Sequence, residues 1–308
     1  MHPLFSGVWP TMITPFTDDN KVDFSAVEKI TQWFVNAGAN GIFAVCQSSE
    51  MFYLDDQEKI DLARAVVNSA CGKIPIFASG HTSDNTAKAV DVLGRITETG
   101  VDAVVLVSNR LVKENEGEDT LQHNFSEIRR QLPGVRMGMY ECPYPYLRLL
   151  STNFIKECAT KGELVSLKDV SCSSNILRER IEAVKGTNFS ILNANTATLL
   201  GFLKDGGQGY NGVMGNYHID LYRWLYDHFE DESEKSRELA DFLTLAGVME
   251  TRAYPVSAKY HFTLMGITMG LHTRAKDRRI LNENARLETE SLLRMENYWR
   301  KKLGLKEI

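Results

Sequence analysis

Two short stretches carry side chains suited to covalent and proton chemistry. In LVSLKDVS (164–171), Leu164, Val165 and Leu167 read as the apolar part of a buried strand. Lys168 ends it, and Asp169 follows. Lysine is among the residues least often buried without a partner. Desolvation disfavours the ammonium form and lowers the pKa, leaving a partly neutral, nucleophilic amine. Such an amine condenses with a ketone or aldehyde to give a Schiff base. The protonated imine is an electron sink, beside which a carbanion can form or collapse. That is the chemistry of carbon–carbon bond making and breaking. Tyr140 ends the run VRMGMY (135–140) and offers a phenol for proton relay. Ser48, in CQSSE (46–50), can hold a carboxylate together with adjoining backbone N–H groups. The three together suggest a 2-oxo acid. The competing reading is bland: a strand-end lysine snorkels its head to water, and a strand-end tyrosine simply packs.

These residues need elements to position them. Short, nearly continuous apolar runs occur at 7–14, 41–45, 74–79, 102–107, 135–140, 164–168, 189–194 and 209–214, as expected of strands covered on both faces. Helix-like stretches lie between them. Asp23 caps the first, which carries Val27, Ile30 and Phe34 and stops at Gly38. Asp55 with Glu58 reads as a capping box, with Gly72 as the stop, and Asp84 precedes a third helix closed by Gly100. Strands alternating with helices demand a parallel sheet. Eight such units in about 225 residues fit an α/β fold, a closed (β/α)₈ TIM barrel. A doubly wound open sheet is the runner-up, but TMITPFTDDN lacks the glycine-rich loop such sheets show after the first strand. Residues 218–229, 233–250, 255–266 and 280–303 read as helices, so a catalytic barrel (1–230) is expected to carry a C-terminal helical extension (231–308).

Composition narrows the function classes. The 308 residues are 43% hydrophobic and 24% charged, with a formal net charge of -5. No basic face suits nucleic acid, no apolar stretch approaches the roughly 20 residues that span a bilayer, and the N-terminus lacks signal-peptide features. Five cysteines without paired spacing suggest reduced thiols in the cytoplasm. Cys46, Cys142 and Cys172 come singly from separate strand ends, with His81 farther along the rim. Small pocket-lining thiols are the reading, and no metal site.

Longer motifs follow the same order. The opening GVWPTMITPF, the CQSSE turn, YECP (140–143), SLKD (166–169), GGQGYNGVMGN (206–216) and YPVSAKYHFTLMGI (254–267) together span nearly the whole chain. In order and spacing, including the 28-residue step from Tyr140 to Lys168 (168 − 140), the sequence resembles the pyruvate-dependent class I aldolases that include dihydrodipicolinate synthase and N-acetylneuraminate lyase. The resemblance implies that Lys168 forms the imine with pyruvate or a related 2-oxo acid, that Tyr140 relays protons, and that Ser48 binds the carboxylate with its own and a neighbouring N–H. It places Asn211 where the family uses a backbone carbonyl beside the imine. It implies a homotetramer, with no metal or organic cofactor.

The departures shape the expected function. Gln47 replaces the first hydroxyl residue of the turn, and Cys46 and Ser49 replace its glycines. The family's second relay tyrosine falls near Asn109 or Arg110, and neither is a phenol. Dihydrodipicolinate synthases carry an arginine five residues after the tyrosine, where this chain has Pro145. That argues against dihydrodipicolinate synthesis. Arg110 or Arg148 can supply a substitute cation, though a surface role is commoner. Glu50 is read as fixing the turn, and His218 as structural at a helix start. Gln47, Ser49, His81, Asn109, Asn193 and Asn195 suit a hydroxylated substrate. The expectation is a Schiff-base lyase joining or separating pyruvate and an aldehyde. A 2-keto-3-deoxy sugar acid dehydratase on the same lysine is the near alternative, and a silent keto-acid-binding protein the far one.

Overall fold

Each apolar run forms a strand whose residues are buried on both faces, which is why none alternates. The computed structural model describes residues 5–231 and 233–306. The strands are β1 (Gly7–Val8), β2 (Ile42–Val45), β3 (Ile76–Ser79), β4 (Ala103–Val107), β5 (Met137–Tyr140), β6 (Ser166–Asp169), β7 (Ser190–Asn193) and β8 (Gly209–Tyr210). All pair in parallel, in the order β1-β8-β7-β6-β5-β4-β3-β2. A parallel bridge between Thr11 and Phe43 joins the two ends. There Phe43 N–H donates to Pro10 O and Met12 N–H to Phe43 O, each at 3.0 Å. The sheet is therefore a closed (β/α)₈ barrel.

Helices α1 (Phe24–Asn36), α2 (Asp56–Ala70), α3 (Thr86–Thr97), α4 (Ser108–Leu111), α5 (Glu118–Gln131), α6 (Thr152–Lys161), α7 (Ser174–Val184), α8 (Leu199–Lys204) and α9 (Gly215–His228) follow the strands. Asp23 caps α1 by accepting from Ala26 N–H, and Asp55 and Glu58 form the reciprocal capping box of α2. The cap of α3 is Asn85 rather than Asp84: the Asn85 carboxamide accepts from Lys88 N–H, and the helix starts one residue later than Asp84 would set it. β1 and β8 are shorter than their apolar runs. Pro10 has no N–H to donate to a ladder, and beyond Tyr210 the chain turns at Gly212, whose carbonyl accepts from Gly215 N–H.

The helical extension comprises α10 (Glu234–Ala246), α11 (Val256–Leu264) and α12 (Glu283–Leu303). Buried polar contacts fasten it to the barrel. Glu296 on α12 receives His218 Nδ1 from α9 and His261 Nε2 from α11, both at 2.8 Å. Arg300 on α12 reaches Asp220 on α9 at 2.7 Å. His218 stands inside α9 at a residue with non-helical backbone angles (φ −149°, ψ 55°), in a purely structural contact.

The β1–β8 seam leaves no room for a side chain: a Cβ on Gly209 would stand 1.9 Å from Gly7 O. Gly209→Ala is expected to cost about 3 kcal/mol or more. Gly201→Ala in α8, where a Cβ meets nothing within 4 Å, should instead stabilise by about 0.5–1 kcal/mol. Denaturant midpoints decide it, and equal midpoints for Gly209→Ala and the parent would refute the clash.

Candidate active site

Side chains alternate across a strand. Tyr140 and Lys168, paired across β5 and β6, therefore turn into the barrel mouth, and the residues after them, Glu141 and Asp169, turn outward. A cavity of about 350 Å³ opens there, lined by Gln47, Ser48, Tyr140, Lys168, Tyr254 and Lys276, with Phe52, Tyr53, Tyr144 and Val213 completing much of its wall.

Lys168 is only 7% exposed. Its Nζ lies 4.5 Å from the centre of the Tyr140 ring and 5.7 Å from that of Phe43. It makes no hydrogen bond or ion pair with a described residue. Burial pushes its pKa below the ordinary lysine value, outweighing Cys46, Cys142 and Glu250, which hold it up. The Tyr140 hydroxyl donates to Gln47 Oε1 at 3.0 Å, and Cys142 Sγ donates to the same oxygen at 3.4 Å. Burial raises the Tyr140 phenol well above its usual range.

The CQSSE turn divides its labour. Ser48 lines the cavity and donates to Thr11 Oγ1 at 3.1 Å. The N–H groups of Ser49 and Glu50 are used inside the turn, on Cys46 O and Gln47 O, while those of Gln47 and Ser48 donate to no described residue. An anion held here would meet Gln47 N–H, Ser48 N–H and Ser48 Oγ. Ser49 is fully buried beneath the turn. Its Oγ donates to Met12 O at 2.8 Å and accepts from Cys46 N–H at 2.9 Å, so it braces the turn and does not face the cavity.

Several other sequence candidates also lie away from the cavity. Asn211 is buried and donates to Trp9 O at 2.9 Å. Asn193 closes its own loop, donating to Thr198 Oγ1 and accepting from Asn195 N–H. Arg110 lies over the Phe52 ring at 5.3 Å and lines a separate cavity with Asp84, Lys113 and Glu116. Arg148 donates to Glu116 O. His81 Nδ1 accepts from Val107 N–H, and burial, with Arg110 nearby, lowers its pKa to about 3, so the ring stays neutral. Asn109 donates to the carbonyls of Cys142, Tyr144 and Tyr146 at 2.7, 3.0 and 2.6 Å, which shapes the wall after β5.

The extension supplies what pattern reading missed. Tyr254 and Pro255, just before α11, and Ala275 and Lys276, beyond it, all line the cavity. The Tyr254 hydroxyl is buried beside Ser48 and closes no hydrogen bond of normal geometry. Its only sequence signal is membership of YPVSAKYHFTLMGI, read as a helix pattern.

The architecture is a (β/α)₈ barrel with its cavity at the C-terminal strand ends, where barrels of this class carry their sites. The model of the dihydrodipicolinate synthetase family matches residues 4–294, and the chain belongs to that family, a class of pyruvate-dependent lyases and aldolases. It is 25% identical over 261 residues to the 4-hydroxy-tetrahydrodipicolinate synthase of Staphylococcus saprophyticus subsp. saprophyticus, covering 84% of this chain and 86% of that protein. It is 28% identical over 263 residues to the corresponding synthase of Natronomonas pharaonis, covering 83% and 87%. Among solved structures, a prophage protein of the dihydrodipicolinic acid synthase family from E. coli K12, in complex with pyruvate, superposes with a TM-score of 0.86 at 21% identity, over 95% of this chain and 99% of that one. A dihydrodipicolinate synthase from Bacillus anthracis gives 0.85 at 22% identity, over 95% and 98%.

Behind the cavity, Arg180 on α7 clamps both outward carboxylates. Its Nη2 donates to Glu141 Oε1 at 2.6 Å and to Leu150 O at 2.7 Å, and its Nη1 donates to Glu141 Oε2 at 3.1 Å and to Asp169. Arg180→Met would leave two carboxylates buried without a cation, at a cost of about 3–5 kcal/mol. The triple variant Arg180→Met, Glu141→Leu, Asp169→Leu should recover much of that. Urea unfolding measures both, and a triple variant no more stable than the single one would contradict the electrostatic account.

Proposed function

We propose that the protein is a Schiff-base lyase that makes or cleaves the bond between a 2-oxo acid, pyruvate in the simplest case, and an aldehyde. One observation carries this reading: the Lys168 amine sits buried at the cavity floor, against the Tyr140 ring, with no counter-ion bonded to it. A neutral amine there attacks the keto carbon. The carbinolamine loses water, and the iminium left behind withdraws electrons from the neighbouring carbon. Tyr140 stands beside the reacting nitrogen to move protons at the departing oxygen. The free N–H groups of Gln47 and Ser48, with Ser48 Oγ, suit the keto acid's carboxylate. The pyruvate bound in the E. coli family member supports a 2-oxo acid in this chain as well.

Dihydrodipicolinate synthesis itself is the less favoured reaction. Pro145 stands where those synthases carry an arginine, Arg148 is held on Glu116 O, and Arg110 lines a separate cavity. A cytoplasmic homotetramer goes with this reading. All five cysteines are free, and Tyr144 and Leu147 beside the mouth expose apolar surface that an assembly would cover.

Borohydride reduction in the presence of pyruvate, followed by peptide mass spectrometry, should place an adduct on Lys168, and Lys168→Ala should abolish it. Because burial lowers the Lys168 pKa, the neutral amine forms earlier on the alkaline side than for a free lysine. The trapping rate should climb with pH and level off below the ordinary lysine value of about 10.4. An unmodified Lys168 in excess pyruvate would sink the reading. With an adduct in hand, pyruvate release from candidate hydroxylated keto acids, as against loss of water alone, identifies a lyase.

A further inference from the structure

The keto acid that Lys168 would attack carries a carboxylate next to the reacting carbon, and the cavity wall has to receive it. Most polar groups of that wall are already committed. The Tyr140 hydroxyl donates to Gln47 Oε1. The Ser48 hydroxyl has one proton to give, and it lies on Thr11 Oγ1. Glu50 takes Lys259, Thr273 and the N–H groups of Arg274 and Ala275. Tyr53, Tyr144 and Lys276 stand at the exposed rim. Tyr254 differs from all of these. It lines the same cavity as Lys168 and Ser48, and its hydroxyl is fully buried with no hydrogen-bond partner among the described residues.

A phenylalanine would fill the same space without stranding a polar atom, and buried polar groups in native proteins are nearly always bonded. The partner of this hydroxyl is therefore expected to come from the cavity. The segment is built to hold it in place. Ala253 keeps a left-handed backbone (φ 55°), uncommon for a residue with a Cβ, and its carbonyl accepts from Ser257 N–H at 2.9 Å. Ser257 Oγ bonds the Tyr217 hydroxyl on α9 at 2.9 Å. Lys259, two residues further along α11, reaches Glu50 at 3.0 Å, and Glu50 stands two residues beyond Ser48 in the CQSSE turn. The chain that carries Tyr254 and the turn that carries Ser48 are thus tied together by a buried ion pair.

We propose that the Tyr254 hydroxyl is a substrate-binding donor to the carboxylate of the 2-oxo acid, and that it sets the preference for keto acids over uncharged ketones. The inference rests on the imine reading above. With Tyr254 the wall offers Gln47 N–H, Ser48 N–H and a phenol hydroxyl, a set made only of donors. The Ser48 hydroxyl joins them by turning from Thr11. A carboxylate, which only accepts and has about four lone-pair sites on its two oxygens, is the complement of such a set. Burial raises the Tyr254 phenol well above its usual range, so the hydroxyl keeps its proton to donate. A hydrogen bond to a charged acceptor is stronger than one to a neutral carbonyl, which is how one hydroxyl tells an acid from a ketone.

The test is borohydride trapping of the full chain with pyruvate and with acetone, which share a methyl ketone and differ in the carboxylate. In Tyr254→Phe, the pyruvate concentration that gives half-maximal trapping on Lys168 should rise about 10-fold or more. The trapping limit at saturating pyruvate and the rate with acetone should stay at their parental values. An unchanged half-maximal concentration overturns the proposal. So does a loss of the same size with acetone, which would make the hydroxyl a support for the lysine rather than a receiver of the carboxylate. Both results leave the imine reading standing. A parent protein that forms no Lys168 adduct with pyruvate overturns both.

Discussion

The Arg180 clamp is the contact on which the reactive pair depends. Tyr140 and Lys168 are neighbours because β5 and β6 are in register, and the register is held at the very strand ends where ladders fray. Glu141 accepts from Leu150 N–H at 2.8 Å and from Val170 N–H at 3.3 Å, as well as from Arg180. The loop leaving β5, the exit from β6 and helix α7 thus meet at one guanidinium. Three buried charges add little stability compared with a well-packed apolar cluster, but removing one partner is costly. What the cluster specifies is geometry: with Glu141 and Asp169 tied outward, the strand period obliges Tyr140 and Lys168 to point inward.

A second buried carboxylate does the same for the other half of the cavity. Glu50 holds a left-handed backbone (φ 60°) at the end of the turn that presents Gln47 and Ser48. Its side chain receives Lys259 Nζ at 3.0 Å, Thr273 Oγ1 at 2.7 Å, and the N–H groups of Arg274 and Ala275 at 2.6 and 2.8 Å. Lys259 also lies over the Phe16 ring at 4.6 Å and donates to His272 O at 2.5 Å. Arg274 adds a two-pronged contact to Glu58, itself half of the α2 capping box. Every donor pointing at Glu50 except the Thr273 hydroxyl is charged or main-chain, and the carboxylate is fully hydrogen-bonded, which is the condition for burying it at tolerable cost. Through this joint the extension is fixed against the barrel mouth, and Tyr254 and Lys276 become part of the cavity wall.

What was legible in the sequence follows from which contacts are local. The strands, most helix caps and the barrel show in runs of ten or so residues, because periodicity and capping are local properties. Lys168, Tyr140, Gln47 and Ser48 could be placed at one mouth because barrel topology puts all strand ends together. The partners of Glu50 lie more than 200 residues away, and no local pattern reports them. Arg180 reads as one polar position of an amphipathic helix until the sheet is built beneath it. Ser49 and Asn193 look like substrate contacts because polar residues at strand ends are shared between two tasks, binding ligands and closing the backbone's own hydrogen bonds. Here they serve the second. The asparagine at 109 was read as a missing phenol, and its work is to collect three carbonyls of the wall.

The acid beside the lysine, Asp169, can now be understood. An unpaired carboxylate one residue from Lys168 would favour the ammonium form and suppress nucleophilicity. Asp169 instead faces the other side of the sheet, against Arg180, and also accepts from Ser171 N–H and Oγ at 2.8 and 2.7 Å. Its charge is consumed there, and it is absent from the groups that hold the Lys168 proton in place. The interior around Lys168 is aromatic and thiol-rich, and strongly desolvating. The chain has thus separated two requirements that conflict. Charge is needed behind the sheet to fix the strand ends, and must be kept from the front if the amine is to be neutral. One layer of backbone divides them.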